Sequence, residues 1–333
     1  MTQISKNIIK RSQRFFAVTF LFFTFSIQAQ TLDSLIIKAA PQFSGQVAII
    51  KYDSLIYSFS KGWMNYPLQI PINKNMLLEI GELSSFFTRE AIYDLIKNNK
   101  ISADSSVANY IPDFPYKAIT IEHLLNQRSG LPSNYLKLYH RYIYDDENIK
   151  LKDKAKNITN TDIVNILIKF KPALEFNPGE KSVQCNTNDI VLAYLIELMY
   201  FKPYETTINE MTAAKYPNSK IVANSDLQYT PMSLRASGHR KTDLAQMSVE
   251  ESLQDFGFKY SDGTMGHHHI YANAESLAKY LDGITKAPVT YTGHEPGYNS
   301  LISYNKARTI VILSNTNDEK DAELILKAIL SQP

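Results

Sequence analysis

Residues 80–90 read IGELSSFFTRE, and the interpretation of the whole chain starts from this stretch. Phe87 and Ala91 lie four residues apart within a run of further apolar residues. Residues at this spacing share one face of a helix, so the pattern predicts a helix beginning soon after Gly81. Glu82 falls at its start, where the helix dipole favours a carboxylate by about 0.3–1 kcal/mol. Glu82 is therefore either a helix-start residue only, or a ligand contact or general base for water.

Strand-like segments lie at both ends of the chain. Residues 45–51 (GQVAIIK) and 55–60 (LIYSFS) flank a short polar turn, a pattern typical of an antiparallel hairpin. Residues 300–304 and 309–314 predict a second hairpin, which is followed by an amphipathic helix at 321–330. Because strands occur at both ends around a helical middle, we expect an α+β fold whose sheet joins the two termini.

Two helices in the middle of the chain carry recognisable start signals. Asn188 and Asp189 are predicted to cap a helix over 190–199, which is apolar on nearly all sides and therefore expected to be buried. Asn273 is predicted to cap a second helix that extends to about Ile284.

The N-terminus has the pattern of a secretory signal. Its first residues are basic, residues 15–27 are apolar, and Ala29 supplies a small residue for cleavage. The apolar run is shorter than the ~20 residues that a membrane helix needs, which favours a signal peptide at 1–29 over a single membrane anchor. No later stretch predicts a membrane span, so the mature protein is expected in the periplasm or outside the cell.

Composition excludes several other classes of protein. The 333 residues are 44% hydrophobic and 20% charged, with a formal net charge of +2, so a nucleic-acid partner has no electrostatic support. Cys185 is the only cysteine, which excludes an intrachain disulfide and a lipid-modified cysteine near the signal. We expect Cys185 to be a buried thiol rather than a nucleophile.

Three consecutive histidines, His267, His268 and His269, are the remaining unusual feature. Alternate residues of an extended chain share a face, so at most two of these rings are expected to converge. Zinc requires three or four ligands, and no paired cysteines or HxxxH motif supplies the others, although His294 could join if its turn lies nearby. The tract is therefore predicted to be a polar loop, and neither a metal nor another cofactor is predicted.

Several segments, in order, resemble the serine β-lactamase and D,D-peptidase family, nearest its class C and esterase-like members. They are residues 43–65, 80–90, 101–115, 119–132 (ITIEHLLNQRSGLP), 176–180 (FNPGE) and 292–298 (TGHEPGY). The resemblance covers nearly the whole mature chain and implies a β-lactamase/transpeptidase-like fold in one domain, 30–333, in which helices flank the antiparallel sheet and an all-helical lobe is inserted. Its sheet lobe would comprise about 31–75 and 286–333, and its mainly helical lobe about 76–285.

The resemblance also locates three sequence motifs, each altered here. Where the family has Ser-x-x-Lys, this chain has Glu82 and Ser85, and where it has Tyr-x-Asn, this chain has Gln184 and Asn186. The third motif, Lys or His followed by Thr-Gly, begins here with Tyr291. The resemblance implies an inter-lobe pocket lined by Glu82, Ser85, Gln184, Asn186, Tyr291, Thr292 and Gly293.

The residues at these positions do not suit acyl transfer, which needs a hydroxyl nucleophile, a base and an oxyanion hole. Glu82 has no hydroxyl, Ser85 is no base near neutral pH, and Gln184 does not titrate. We therefore predict a catalytically inactive, exported binding or scaffold protein that takes a small molecule or peptide of unknown identity. The alternative is an active esterase, peptidase or β-lactamase with an altered mechanism.

The Ser-x-x-Lys spacing also occurs elsewhere, and a helical instance is geometrically possible. Ser276 and Lys279 form this instance, in a segment that the family uses as a peripheral helix. We interpret this spacing as a chance match.

Overall fold

The computed structural model describes residues 32–144, 158–224, 234–241, 246–248, 263–282, 288–305, 308–316 and 318–332. The predicted signal peptide lies outside these ranges. Within them, no helix combines the length and the apolar character needed to cross a bilayer.

Strands occur mainly towards the two ends of the chain, and helices occur mainly in the middle. The helices are α1 (32–39), α2 (Ser85–Lys97), α3 (Ile121–Leu125), α4 (Tyr135–Tyr139), α5 (Asn160–Phe170), α6 (Asn186–Tyr200), α7 (Tyr204–Lys215), α8 (Ala274–Asp282) and α9 (Glu319–Leu330). The strands are β1 (Gly45–Lys51), β2 (Ser54–Lys61), β3 (Trp63–Asn65), β4 (Ile70–Pro71), β5 (Leu78–Glu79), β6 (Ile221–Ala223), β7 (His239–Lys241), β8 (Gln246–Ser248), β9 (Ile270–Ala272), β10 (Val289–Glu295), β11 (Tyr298–Asn305) and β12 (Arg308–Ser314). A 3₁₀ turn, Gly81–Ser84, leads directly into α2.

The largest sheet is antiparallel and joins the two ends of the chain, as the sequence predicts. Its strand order is β10-β11-β12-β1-β2, with Gly45 of β1 opposite Ser314 of β12. Both predicted hairpins are present in it. β10 adds an edge strand that the sequence did not predict, and this strand carries the third motif.

The central strands separate two hydrophobic cores because side chains alternate between the faces of a sheet. From β1, Ala48 and Ile50 pack into the larger core, which extends through the helical part of the chain. Val47 and Ile49 point to the other face, where α1 and α9 cover a smaller core. With both faces covered, six of the seven residues of β1 are buried.

The segment between the two halves of the sheet is mainly helical and also contains short strands. Packing of α6 against α2, α5 and α7 forms its centre, and β5, β9 and β6 form a three-stranded sheet beside it. This architecture confirms the predicted β-lactamase/transpeptidase-like fold class. The short sheet is an addition to the lobe that was expected to be entirely helical.

The structure confirms one predicted helix cap and contradicts the other. Asn273 Oδ1 accepts a hydrogen bond from Ser276 N at 2.8 Å, so Asn273 caps α8. By contrast, α6 begins at Asn186, and Asn188 and Asp189 lie inside its first turn with fully buried side chains. The cap prediction for α6 was wrong because these polar residues bond to side chains from another segment.

The histidine tract is not extended, so the prediction that alternate rings share a face was wrong. Residues 266–268 form a bend, and His269 has a left-handed φ of 65°. The rings of His267 and His268 stack with centroids 3.9 Å apart, and those of His268 and His269 are 4.0 Å apart. Adjacent rings therefore lie together, and all three are buried.

Candidate functional site

Two glycines bring the first and third motif segments into contact. A Cβ on Gly81, whose φ is +56°, would lie 2.8 Å from the carbonyl carbon of His294. A Cβ on Gly293 would lie 2.5 Å from the main-chain oxygen of Ile80. Only residues without a side chain allow the 3₁₀ turn before α2 to pack this closely on β10. Glu82 is consequently held beside the end of β10.

The Glu82 carboxylate is half-buried and accepts a hydrogen bond from the main-chain N–H of His294. Burial raises the pKa of Glu82 above its ordinary value, and the negative charge of Glu295 raises it further. The His294 ring and the His294 N–H oppose this increase. The Glu82 carboxylate therefore has a main-chain donor of β10 as its partner.

Ser85 and Tyr291 lie on a small cleft beside Glu82. The cleft has a volume of about 70 Å³. The rest of its lining consists of Leu83, Phe86, Phe87, Arg89, Leu277, Leu281, Val289, Ile302 and Tyr304. The Tyr291 side chain is 46% exposed, and the lining is largely apolar. Of the seven residues predicted to line one pocket, the structure thus brings Ser85 and Tyr291 to this cleft, whose lining contains the cation of Arg89 but no lysine or histidine.

The second motif lies at the start of α6. Gln184 is exposed, and Asn186 is half-buried. Within the described part of the chain, no hydrogen bond joins either residue to Glu82, Ser85 or Tyr291. α6 packs on α2, which follows Glu82. Burial and, to a smaller extent, the negative charge of Glu82 raise the pKa of Asp189 in the first turn of α6, so this end of α6 lies near Glu82.

Cys185, between these two residues, is a buried thiol as predicted. Its Sγ lies 3.4 Å from the main-chain oxygen of Leu131. Burial raises the pKa of Cys185 to about 11, so the thiolate required of a nucleophile is scarce near neutral pH.

A buried polar network beneath the first turn of α6 was not found by sequence reasoning. Gln127 is at its centre: its Nε2 donates to Asp189 Oδ2 at 3.2 Å, and its Oε1 accepts from Asn188 Nδ2 at 2.7 Å. Burial raises the pKa of Asp189 to about 7, against the opposing charge of Arg89. The only signal in the sequence was the polar run 126–129 inside segment 119–132, because these partners are about sixty residues apart.

The surroundings of Glu82 are acidic. Glu295 and Glu319 both act on the Glu82 carboxylate with like charge. Between them, the exposed His294 ring has its Nδ1 3.3 Å from Glu319 Oε1 and 2.7 Å from Asn299 Oδ1. The negative charges around Glu82 therefore favour a neutral or positively charged ligand over an anionic one.

The helical Ser-x-x-Lys spacing has a structural role. Ser276 Oγ accepts a hydrogen bond from the main-chain N–H of Lys220 at 2.9 Å, near the start of α8. This contact supports the interpretation of Ser276 and Lys279 as a chance match.

A larger cavity of about 250 Å³ lies elsewhere, between α5, α6 and α7. Its lining consists of Thr159, Asn160, Thr161, Glu197, Pro203, Tyr204, Glu205, Gly263 and Met265. It contains none of the predicted site residues, so we keep the motif region as the candidate site.

The fold and the three motif segments together define a protein built like the penicillin-recognising serine hydrolases. The sequence profile of the Beta-lactamase family matches residues 36–295. Penicillin-binding protein 4* of Bacillus subtilis is 31% identical over 337 aligned residues, which cover 86% of this chain and 71% of the relative. The chain therefore belongs to the Beta-lactamase family.

Solved structures agree at the level of the fold. A penicillin-binding protein from Bacillus halodurans has a TM-score of 0.70 and 17% identity, with 90% of this chain and 98% of that chain covered. A β-lactamase/D-alanine carboxypeptidase from Pseudomonas syringae has a TM-score of 0.68 and 14% identity, with 93% and 99% covered. The solved structures that share this fold include hydrolases.

Proposed function

We propose that this protein binds a ligand in the pocket beside Glu82 and forms no acyl-enzyme. The observation that carries the proposal is the side chain of Glu82. It has no hydroxyl, and its carboxylate interacts with the main-chain N–H of His294. Serine hydrolases need a free oxyanion site as well as a nucleophile. A side chain without a hydroxyl, whose carboxylate takes up a nearby main-chain donor, supports binding without acylation.

The neighbouring residues support the same conclusion. Ser85 stands where a lysine would accept the proton of the nucleophile. The cleft that Ser85 lines is largely apolar. Tyr291 stands where a cation would hold a substrate carboxylate, and Gln184 is an exposed amide. Three independent losses leave a recognition site without its proton-transfer groups.

The charge of the site indicates the class of ligand. Glu82, Glu295 and Glu319 lie together, whereas a penicillin or a D-Ala-D-Ala terminus carries a carboxylate. We infer that the ligand is neutral or cationic, such as an amide or an amine. Asn186, Thr292 and Gly293 supply the remaining groups with which it could form hydrogen bonds.

A hydrolase with an altered mechanism is the second candidate, and one observation favours it. The raised pKa of the half-buried Glu82 brings this carboxylate closer to the range of a useful general base. In this alternative Glu82 would activate water directly, and no covalent intermediate would form.

Covalent labelling tests the first proposal. The purified mature protein is incubated with fluorescent penicillin and with a fluorophosphonate probe, and labelling is read on a denaturing gel. We expect no labelled band from either probe. A band whose label maps to Ser84 or Ser85 would refute the proposal, because it would reveal an active nucleophile near Glu82.

Turnover of a p-nitrophenyl ester distinguishes the two candidates when no label forms. Turnover that is lost in Glu82→Gln supports water activation by Glu82. Its absence in the wild type, together with absent labelling, supports binding alone. Ser58→Ala is a control because Ser58 lies on β2 and its hydroxyl donates to Glu275 at the surface.

Export is part of the proposal and rests on the sequence of residues 1–29. We propose that the mature protein begins at Gln30 and acts in the periplasm or outside the cell. N-terminal sequencing of protein recovered from those compartments should read QTLDS. Recovery of an uncleaved chain in the membrane fraction would favour the anchor instead.

A further inference from the structure

Three residues that can bind a metal converge next to the candidate site. They are Glu79, His268 and His269, and one potential ligand atom from each lies within 4.8 Å of the others. All three side chains are buried, with 6%, 2% and 6% of the residue surface exposed. A carboxylate and two imidazoles in such a small volume are an uncommon arrangement for a protein interior.

The backbone around these residues explains how they meet. β5 pairs with β9, which places Glu79 opposite Tyr271, two residues after His269. The His269 N–H donates to Glu79 Oε1 at 2.9 Å, and His269 Nδ1 lies 3.8 Å from the same oxygen. The left-handed φ of His269, a conformation uncommon outside glycine, turns its ring towards Glu79.

We propose that Glu79, His268 and His269 bind one divalent transition-metal ion of the zinc class. Two imidazole nitrogens and a carboxylate oxygen are a ligand set that zinc accepts, with bonds of about 2.0–2.2 Å. Ligand atoms at that distance from a tetrahedral ion lie roughly 3–3.6 Å apart. The atoms of this cluster are close enough that small side-chain rotations complete the geometry.

Glu295 extends the site towards β10. Its Oε1 lies 3.3 Å from His268 Nδ1, and Thr264 Oγ1 lies 3.1 Å from His268 Nε2. The ion would therefore replace the Thr264 hydroxyl at Nε2, while Glu295 keeps its contact with Nδ1. Carboxylates that contact a metal-binding imidazole orient the ring and increase its affinity for the metal. A divalent ion would also offset the like charges of Glu79, Glu82 and Glu295.

The burial of the cluster indicates a structural role for the ion. Three protein ligands leave one position of a tetrahedral zinc ion to a water molecule, and the burial of these three side chains keeps that position away from bulk solvent. A bound ion would hold β5 to the histidine bend and, through Glu295, to the end of β10 beside Glu82. The inference is thus independent of whether the pocket hydrolyses its ligand.

The competing interpretation is a buried network without metal. Burial raises the pKa of Glu79 to about 7, which allows a neutral acid, and Tyr271 and Arg235 both lie near its carboxylate. In that case the histidines would serve packing alone. The two interpretations differ in whether the protein takes up an ion stoichiometrically.

The first experiment uses the untagged mature protein after treatment with a chelator. Zinc is added, the protein is desalted, and bound metal is measured by elemental analysis; cobalt is added to a second sample for visible spectroscopy. We expect one zinc per chain, and a rise in Tm of roughly 4–6 °C at a zinc concentration about 100 times Kd. Cobalt should give the visible absorption of a four-coordinate site. Less than about 0.2 zinc per chain with an unchanged Tm would overturn the proposal.

Variants then locate the ion. Glu79→Gln keeps an acceptor for the His269 N–H and should lower the affinity for zinc by at least 100-fold. His267→Gln is the matched control, since His267 belongs to the same buried tract but its Nε2 faces Tyr135 Oη at 3.1 Å. Equal loss of zinc in both variants would overturn the assignment of the ligands.

A variant at a partly exposed position guards against a failure of Glu79→Gln to fold. Glu295→Gln should weaken zinc binding about 10-fold, within the range known for residues that orient a metal-bound histidine. His294→Gln, on the same strand and exposed, should leave the affinity unchanged. Unchanged zinc affinity in Glu295→Gln would refute its place beside the ion.

Discussion

At the scale of single residues, Glu82 changes both the shape and the charge of the motif region. Its carboxylate takes the His294 N–H as a donor and places a negative charge beside Glu295. A serine at this position would leave that donor available to a substrate. In the function proposed above, the site differs from that of an acylating enzyme in its hydrogen bonds as well as in its nucleophile.

Restoring the first motif alone should not restore activity. We expect the double variant Glu82→Ser, Ser85→Lys to turn over p-nitrophenyl esters at less than about 1% of an ordinary kcat of ~10 per second. Gln184 and Tyr291 would still lack a proton shuttle and a cation, and residues that act as a unit contribute non-additively. Stopped-flow absorbance measures the rate, with Ser85→Lys alone as the control. A rate near the ordinary value would show that the other two motifs are dispensable.

Asp189 should make the stability of the protein depend on pH. Its pKa is raised by burial to about 7 in the folded state, so the folded protein holds a proton that the unfolded chain releases at lower pH. The stability that this proton confers is complete below about pH 3.8, the ordinary pKa, and is lost as the pH rises to about 7.

Asp189→Asn removes this titration. Between pH 4 and pH 7.5, the free energy of unfolding of the wild type should fall relative to that of Asp189→Asn by on the order of 2–4 kcal/mol. Urea denaturation at a series of pH values measures the difference. Asp318→Asn, at the half-buried N-cap of α9, is the control. A difference that stays constant over this range would contradict a raised pKa for Asp189.

At the scale of secondary-structure elements, the site depends on the close packing of β10 against the 3₁₀ turn before α2. β10 is an edge strand, so main-chain hydrogen bonds hold it on one side only, to β11. On the other side, Gly293 lies against the Ile80 oxygen and Leu83 N. Contact between these elements, more than any single side chain, sets the distance between Glu82 and His294.

Gly293→Ala should separate these elements. The added methyl would lie 2.5 Å from the Ile80 oxygen and 2.6 Å from Ser300 Oγ, which requires movement of the backbone. We expect a loss of about 1–3 kcal/mol in the free energy of unfolding, measured by urea denaturation, together with weaker ligand binding. Thr292→Ala, at the exposed neighbouring position, should change stability by less than about 0.5 kcal/mol. Equal stability of the two variants would contradict the close packing.

At the scale of the whole molecule, the sheet is stabilised from both faces by elements distant in sequence. The smaller core contains Ile36 from α1 and Ala322, Ile325 and Ile329 from α9, together with residues of β1, β11 and β12. This core lies across the sheet from α8 and the larger core. The candidate site therefore rests on a scaffold whose stability is set partly by α9.

Ile325→Ala tests this arrangement. Ile325 is fully buried in the smaller core, so truncation should lower the free energy of unfolding by about 2–4 kcal/mol. Its neighbour Leu324 is 44% exposed, and Leu324→Ala should cost less than about 1 kcal/mol. Thermal unfolding measures both. Similar losses in the two variants would show that α9 does not cover the sheet as described.

The local sequence by itself determined much of the fold. Alternating and continuous apolar runs predicted the hairpins at both ends, and Asn273 predicted the cap of α8, because these features depend on neighbours within a few residues. The resemblance of the motif segments determined the family, and the altered residues at Glu82, Ser85 and Tyr291 predicted that the usual chemistry is absent.

Only the tertiary structure decided how distant residues combine. Asn188 and Asp189 were predicted to form a cap, yet they bond to Gln127 and Ser129, about sixty residues earlier in the chain. Glu79 reaches the N–H of His269 across 190 residues, because β5 pairs with β9. No pattern in a local window records such pairings, since they arise when separate elements bury their apolar faces against one another.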